Sequence, residues 1–180
     1  IAPRAVANDD DTAASLTFVN SAFLDNIYNT YECDTSMVLS CYFTGPPGAA
    51  GFSTVSPAVF KGRTVFRNNT WGAVYVASPA GARITFAGAT AFRDNSGVGG
   101  CGLSLEGATA IFAGAAAVQF VGNSAPGSDG AGMALRAIRN SSVVFRGPVL
   151  IADNWAYSGA GGAVFLDQSS LTCHTTSSLR

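Results

Sequence analysis

Carboxylates are the side chains of this sequence with the clearest capacity for chemistry, because paired carboxylates act as general acid and base in polysaccharide hydrolases. Asp25, Asp94 and Asp153 recur at a similar place in the chain, each immediately before an asparagine. Asn68 and Gly122 occupy the equivalent intervening positions and interrupt this series. We therefore interpret the aspartates as solvated turn residues and predict no catalytic residue, with a carbohydrate-active enzyme as the alternative.

Cysteine, histidine and a short acidic run are the other candidates for chemistry. Cys173 and His174 could form a nucleophile and base, but Cys173 falls in an apolar column and is interpreted as a buried structural thiol. The acidic run at 9–11 could contact a cation, although a solvated terminus is the simpler interpretation. Cys33 and Cys41 flank a short segment and could form a disulfide, which would suit an oxidising compartment. We predict no metal and no cofactor.

Surface chemistry is the second possibility that the residues raise. Arg67 and Arg93 stand 26 residues apart and could bind an acidic glycan together, although isolated solvated arginines are the favoured interpretation. Asn68 and Asn140 begin N-glycosylation sequons, which would lie in exposed turns of a secreted eukaryotic protein. With a net charge of −1 and Lys61 as its single lysine, the chain has no basic field that would attract nucleic acid.

Internal repetition identifies the elements that must position these side chains. Phe-x-Gly recurs with its phenylalanine at Phe60, Phe86, Phe112 and Phe145, which gives a unit of 26 residues with one expanded gap. Phe-x-x-Asn follows from Phe66 to Asn69, from Phe92 to Asn95 and from Phe120 to Asn123, with Ile151 to Asn154 as a weaker copy. A third element follows a Gly-rich turn at 71–76, 99–105, 130–135 and 161–166. Apolar residues alternate with smaller or polar ones there, as in strands with one buried face.

Three short strands in each unit predict an all-β fold, a right-handed parallel β-helix of roughly five to six coils spaced about 4.8 Å apart. A β-sandwich of hairpins is the alternative, but it would not require the same residue to return at the same place in every unit. We place the β-helix at residues 15–180, with an N-terminal extension at 1–14 and a loop insertion at about 44–57 around Gly-Pro-Pro-Gly. The chain has 48% hydrophobic and 12% charged residues, as a folded domain does, and we expect a fragment of a longer array.

Stacking of the coils assigns a role to each repeated residue. The phenylalanines should form two inward columns, Phe60, Phe86, Phe112 and Phe145 in one and Phe66, Phe92 and Phe120 in the other. The asparagines should occupy left-handed corners and form a hydrogen-bonded ladder of Asn69, Asn95, Asn123 and Asn154. An outward β-branched residue precedes the first-column position of each coil, which is Phe18, Phe60, Phe86, Phe112, Phe145 or Cys173; these residues are Thr17, Val59, Thr85, Ile111, Val144 and Thr172. We predict a partner-binding face that includes Thr85, Ile111 and Val144, together with exposed Tyr75 and Phe165 of the third element.

These motifs resemble the polymorphic membrane protein repeats of chlamydiae, which are defined by Phe-x-x-Asn and Gly-Gly-Ala-(Ile/Leu/Val). The likeness extends over roughly residues 15 to 173. The segment 161–164, Gly-Gly-Ala-Val, fits the second motif strictly, whereas the segments around Trp71, Gly99 and Gly130 depart from it. The resemblance implies surface exposure and adhesion.

Location and function follow from these expectations. No apolar run approaches the roughly 20 residues that a membrane-spanning helix needs. We expect a non-enzymatic, secreted or cell-surface module, structural or adhesive, that presents loops and an apolar strand face to protein or glycan partners, for example within an extracellular appendage. A pectate-lyase-like enzyme is the alternative. An ice-binding solenoid is less favoured, because Lys61, Arg83 and Arg146 would interrupt its flat face.

Overall fold

The computed structural model describes residues 16–25, 52–54, 56–77, 81–97, 101–129, 133–158 and 162–174. These residues form short strands joined by turns, with no helix among them. In chain order the strands are β1 (Leu16–Val19), β2 (Ala22–Leu24), β3 (Phe52–Thr54), β4 (Ala58–Lys61), β5 (Thr64–Arg67), β6 (Val74–Ala77), β7 (Arg83–Phe86), β8 (Thr90–Arg93), β9 (Leu103–Glu106), β10 (Thr109–Phe112), β11 (Val118–Val121), β12 (Ser124–Asp129), β13 (Leu135–Ile138), β14 (Ser142–Phe145), β15 (Val149–Ala152), β16 (Trp155–Ser158), β17 (Val164–Leu166) and β18 (Ser170–Cys173).

Three parallel sheets form the walls of the molecule. The first sheet has the order β1-β4-β7-β10-β14-β18, the second sheet β2-β5-β8-β11-β15, and the third sheet β3-β6-β9-β13-β17. A small sheet of β12 and β16 adds a further short strand to two coils. Each strand pairs with its equivalent one coil away, which confirms the all-β parallel β-helix with about three strands per coil. It also excludes a sandwich of hairpins, because hairpins pair neighbouring strands antiparallel.

The number of coils is lower than the predicted five to six. Within the described residues, the coils that start at β4, β7, β10 and β14 each contribute one strand to all three sheets. The preceding strands β1 and β2 are separated from β3 by residues 26–51, which lie outside the described residues. After β17 the described chain adds only β18. The predicted N-terminal extension at 1–14 also lies outside the described residues.

The predicted loop insertion at about 44–57 is wrong at its C-terminal end. Residues 52–54 form β3, in which Phe52 is paired with Val74 of β6. Phe52 is buried, and its ring centroid lies 5.2 Å from those of both Phe18 and Phe60. Burying a ring of this size contributes about 1.5 to 3 kcal/mol, so the segment is held on the sheet despite the Gly- and Pro-rich sequence before it.

Phenylalanine rings fill the space between the sheets. Phe60, Phe86, Phe112 and Phe145 lie in register on the first sheet, and Phe66, Phe92 and Phe120 lie in register on the second. All are at most 1% exposed. Successive rings within a column are stacked nearly parallel, as for Phe92 and Phe120, whose centroids are 4.6 Å apart. Rings of different columns meet edge to face, as for Phe86 and Phe92 at 5.7 Å and 80°. Both arrangements are favourable for aromatic rings, and together they stabilise the register of the coils.

Glycines of the Phe-x-Gly turns permit close approach of successive coils. A Cβ atom on Gly88 would lie 1.9 Å from the backbone oxygen of Gly62 in the coil below. Gly62 itself has a φ of 71°, which favours glycine. Gly88 does not have a positive φ, and a side chain there is prevented by the contact with Gly62. The repeated glycine is therefore required mainly because backbone passes directly over backbone at this corner.

The third element is displaced in one coil from its predicted position. Of the described residues 133–135 in the predicted segment 130–135, only Leu135 belongs to the strand, which continues to Ile138 and pairs with β9 from Leu103. Met133 instead packs beside Cys101 in a small separate cluster. The extra chain length in this coil forms β12, which the repeat pattern does not reveal.

Candidate functional site

Asparagine side chains line the buried corner that follows the second sheet. Nδ2 of Asn69 donates to Oδ1 of Asn95 (2.8 Å), Nδ2 of Asn95 to Asn123 (2.9 Å), and Nδ2 of Asn123 to Asn154 (2.8 Å). The same oxygens accept the backbone N–H of the preceding asparagine, and each Nδ2 also donates to a phenylalanine carbonyl one coil earlier, as from Asn95 to Phe66 (3.2 Å). These bonds run along the axis of the β-helix and fix the spacing of its coils.

The left-handed backbone at this corner lies one residue earlier than predicted. Asp25, Asn68, Asp94, Gly122 and Asp153 have φ values between 53° and 69°, whereas the ladder asparagines that follow them do not have positive φ. Asp, Asn and Gly are the residues that tolerate this region best, which explains why these types recur here. The register places Asn68 or Gly122 between successive aspartates, so these carboxylates do not meet on adjacent coils.

Both predicted glycosylation sites lie in exposed turns. Asn68 and Asn140 are exposed and have φ values of 54° and 61°. Nδ2 of Asn68, the atom that would carry the glycan, donates to Oδ1 of Asp25 at 2.9 Å. Glycosylation at Asn68 would therefore have to displace a surface hydrogen bond, whereas no such bond is shown for the Asn140 side chain.

The outward surface of the first sheet carries a column of β-branched side chains. Thr17, Val59, Thr85, Ile111, Val144 and Thr172 are paired in register across its six strands. All are partly buried except Thr172, which is exposed. Lys61, Arg83 and Arg146 are exposed beside this column. The apolar surface is therefore a narrow stripe with charged borders.

The predicted partner face does not exist as a single surface. Thr85, Ile111 and Val144 lie on the first sheet, whereas Tyr75 and Phe165 lie on the third. The two aromatic residues are partly buried rather than exposed. The repeat already assigned the two aromatic residues to the third element of the coil, and the structure places them there; the prediction that they are exposed is wrong.

Polar residues separate the two aromatic residues on the third sheet. In register the outward column reads Tyr75, Ser104, Arg136 and Phe165. Nη1 of Arg136 donates to Oγ of Ser104 at 3.4 Å. The Tyr75 hydroxyl donates to Oε2 of Glu106 at 3.1 Å, and Glu106 also forms an ion pair with Arg139. The polar groups of this surface thus bond mainly to one another.

Arginines border a concave part of the second sheet. Arg67 and Arg93 are paired in register, and Nη2 of Arg93 donates to Oε1 of Gln119 in the next coil. Arg63 precedes β5 and lies at the other side of the same surface. These residues line a cleft of about 330 Å³, here called the arginine trough, together with Val65, Ala89, Ala91 and Ala117. The sequence predicted the Arg67 and Arg93 column, but it did not identify Arg63, Gln119 or the alanines as parts of one cleft.

Cys101 is an unreactive core thiol. It is buried, it is not part of a disulfide, and its Sγ lies 3.7 Å from Sδ of Met133. The thiol donates to the backbone oxygen of Ser124 at 3.1 Å. Burial raises the pKa of Cys101 from 9.0 to about 12, because the thiolate would lose its hydration. The thiolate required for nucleophilic chemistry is therefore scarce at neutral pH.

The prediction of a buried structural thiol is wrong for Cys173. Cys173 is in register with Phe145, as its place in the apolar column predicted, but it is exposed and free. The strand β18 is the last strand of the first sheet among the described residues, so the inward position of Cys173 is not covered by a further coil there. His174 beside it is exposed as well.

Other predicted sites fall outside the described residues. These are the disulfide between Cys33 and Cys41, which stays a prediction, and the acidic run at 9–11. In the part of the chain that the structure describes, no three His, Cys, Asp or Glu side chains are grouped so that they could hold a metal ion. Nor does that part contain a helix with the length and apolarity needed to cross a membrane.

Comparison with models of protein families, with curated proteins and with solved structures found no match.

Proposed function

We propose that this chain is a non-enzymatic structural and adhesive module of a secreted or cell-surface protein, which holds loops and outward strand faces rigidly against protein or glycan partners. The observation that carries the proposal is the outward column of the first sheet, whose side chains repeat in register over six strands. A partner with a repeating or extended surface can contact such a column at several coils at once.

Rigidity of the display follows from the interior. The stacked phenylalanine rings and the asparagine ladder hold each coil to its neighbours through buried contacts. A rigid surface loses little conformational entropy on binding, so more of the contact energy appears as affinity. This suits a module whose task is to present a surface rather than to close around a substrate.

Resemblance to the chlamydial polymorphic membrane protein repeats supports the same role, since it implies surface exposure and adhesion. In support of this, an asparagine of Phe-x-x-Asn, Asn95, lies at a coil corner and bonds to Phe66 of the preceding coil, and the strand β17 begins at Val164 of the second motif. Extracellular or cell-surface location is part of this proposal.

Adhesion by the first sheet is tested with a matched pair of substitutions. Ile111→Lys places a charge in the middle of the outward column, whereas Ile138→Lys makes the same change at a partly buried outward position of the third sheet. Beads coated with the purified chain are assayed for attachment to intact cells and wall fragments of the organism that makes it. We expect Ile111→Lys to weaken attachment by about tenfold or more, as a charge at the centre of an apolar contact does. Equal attachment of the two variants would contradict a role for this column.

Location is tested by antibody labelling of the native protein on intact and on permeabilised cells. Labelling of intact cells supports the proposal. Labelling that appears only after permeabilisation would overturn it.

Catalysis is the competing function and is tested directly. Asp94 and Asp153 are exposed at left-handed corners, where asparagine is tolerated, so Asp94→Asn and Asp153→Asn should leave the fold intact. The chain is incubated with acidic and neutral polysaccharides, and new chain ends are measured. We expect no turnover; turnover that either substitution abolishes would replace the present proposal with a carbohydrate-active enzyme.

Ice binding is the remaining alternative, and thermal hysteresis of the purified chain tests it. We expect none, because Lys61, Arg83 and Arg146 border the β-branched column. Hysteresis that Ile111→Lys removes would assign this column to ice.

A further inference from the structure

The arginine trough combines three cations with a floor of small side chains. Arg63 lies before β5 and Arg67 at its end, and the pairing of Thr64 N–H with the carbonyl of Ala89 at 2.9 Å sets Arg63 beside that alanine. At about 3.3 Å per residue, Arg63 and Arg67 are separated by roughly 13 Å along the strand. Arg93 lies next to Arg67 across the strand pair. The trough thus has a cation on one edge and two on the other.

Its floor is low because small side chains lie beside Arg63 and at the centre of the cleft. Ala89 and Ala117 share the edge of Arg63, and the register places Ala91 between Val65 and Gln119 in the middle row. The small side chains leave room above the sheet, which the three arginines border. The amide of Gln119 is positioned to bond hydroxyl groups of a ligand, since it has both donors and an acceptor.

Among the described residues, no acidic side chain forms an ion pair with the arginines of the trough. The ion pair present there joins Arg139 to Glu106 on the third sheet. Like charges on directly paired positions of neighbouring strands, as at Arg67 and Arg93, destabilise a sheet unless an anion compensates them. An anion bound between them would remove this repulsion.

Carboxylates at the adjacent corner face other groups. Asp25 accepts a hydrogen bond from Nδ2 of Asn68 at 2.9 Å. Oδ1 of Asp94 packs over Gly122, where an added Cβ would lie 2.5 Å from it. Neither carboxylate neutralises the arginines by direct contact.

The width of the trough indicates a polymer. A single oxyanion bound at one edge leaves the arginines of the other edge without an anion, whereas a chain with repeating anionic groups can supply one to each edge. The planar guanidinium group binds carboxylate and sulfate groups in bidentate fashion. Among the described residues that line the cleft none is aromatic, so they offer no base stacking of the kind on which binding of single-stranded nucleic acid relies.

We propose that the arginine trough binds one chain of an acidic polysaccharide, with Arg63 on one edge and Arg67 and Arg93 on the other holding its carboxylate or sulfate groups. This inference rests on the proposed function as an adhesive module and names the glycan that one of its faces takes. It assigns the second sheet, rather than the β-branched column of the first, to glycan binding.

Binding is measured by calorimetry with the purified full chain and three polymers. Polygalacturonate supplies carboxylates, dextran sulfate supplies sulfates, and neutral dextran is the uncharged control. We expect binding to one or both acidic polymers that weakens with added salt, and none to neutral dextran. Binding to polygalacturonate alone would assign carboxylate, and binding to dextran sulfate alone would assign sulfate. Failure of both acidic polymers to bind overturns the inference.

A charge-matched pair of variants locates the site. The double variant Arg67→Gln with Arg93→Gln removes two charges from the trough, and Arg83→Gln with Arg146→Gln removes two exposed charges from the first sheet. We expect the trough variant to lose affinity by about tenfold or more, because each charge-assisted hydrogen bond contributes substantially. The control should change affinity by less than about threefold. Equal losses would show non-specific attraction and overturn the assignment.

Competing polyanions complete the test. Single-stranded DNA and vesicles containing phosphatidylserine are measured with the same proteins, after circular dichroism has shown that each variant is folded. Tighter binding of either one, lost in the trough variant, would overturn the choice of a polysaccharide. Attachment to cells that survives in the trough variant, together with absent polysaccharide binding, would remove this inference and leave the proposed function standing. Polysaccharide binding by a chain found only inside cells would instead overturn the proposed function.

Discussion

Asn95→Ala should destabilise the protein strongly, because the side chain of Asn95 makes four buried hydrogen bonds at the centre of the ladder. Its Oδ1 accepts from the backbone N–H of Asn69 (3.1 Å) and from Nδ2 of Asn69 (2.8 Å). Its Nδ2 donates to the carbonyl of Phe66 (3.2 Å) and to Oδ1 of Asn123 (2.9 Å). Asn95 is 0% exposed, so water cannot replace these partners without opening the corner. At about 1 kcal/mol for each bond, the expected loss is about 4 kcal/mol.

The loss is measured by urea unfolding, with the free energy extrapolated to water. Asn68→Gly is the matched control, since Asn68 is exposed, makes one surface bond to Asp25 and has a positive φ that glycine accepts. We expect the control to change stability by no more than about 0.5 kcal/mol. Asn154→Ala should fall between the two, because Asn154 makes similar bonds at a partly buried position. If Asn95→Ala cost no more than the control, the ladder would not stabilise the coil stack, and that reasoning would be refuted.

Four further substitutions or reactions test the interior. Phe92→Ala should cost about 3 to 5 kcal/mol in the same urea assay, because a fully buried ring leaves a cavity between two stacked neighbours; a loss below about 1 kcal/mol would contradict the stacked column. Gly88→Ala should cost about 2 kcal/mol or more, since its Cβ would lie 1.9 Å from a backbone oxygen. Gly162→Ala is the control and should be nearly neutral, because nothing lies within 4 Å of the added Cβ. Similar urea midpoints for the two variants would refute the close-approach argument. Iodoacetamide at pH 8 should modify exposed Cys173 and spare Cys101 until urea is added, as peptide mass spectrometry would show. Folding raises the pKa of Cys101 from 9.0 to about 12, so the contribution of this thiol to stability is complete below pH 9.0 and is lost as the pH rises towards 12. The difference in the free energy of unfolding between the native chain and Cys101→Ala should therefore change over this pH range; a constant difference would contradict the shift.

Much of the interior was predictable because identical side chains return at a constant interval. The spacing of Phe86 and Phe112 places them on equivalent strands, and stacking at one strand spacing then brings their rings to 4.7 Å. The same argument predicted that Asn95 and Asn123 would bond to each other. A strictly repeated residue has a residue of its own type directly above it and another directly below it. Its environment can therefore be predicted from its own identity.

Positions where the repeat changes length or composition were predicted poorly. Phe52 was assigned to a loop, although its ring packs into the core, because no recurring motif marks β3. The left-handed angle was assigned to the ladder asparagines, but it belongs to the residues before them, such as Asp94 and Asp153. A ladder asparagine must direct its side chain inward, and the turn that permits this occurs one position earlier.

The amino-acid sequence by itself determined which residues stack along the axis, because a constant spacing places the same residue type at the same position of each coil. The tertiary structure decided which side chains share a surface around the axis. Arg63, Ala91 and Gln119, for example, line one cleft across three strands, which their spacing did not predict. This lateral grouping depends on where the chain turns between sheets, and turn geometry is set by backbone angles and contacts between coils that one-dimensional spacing does not contain.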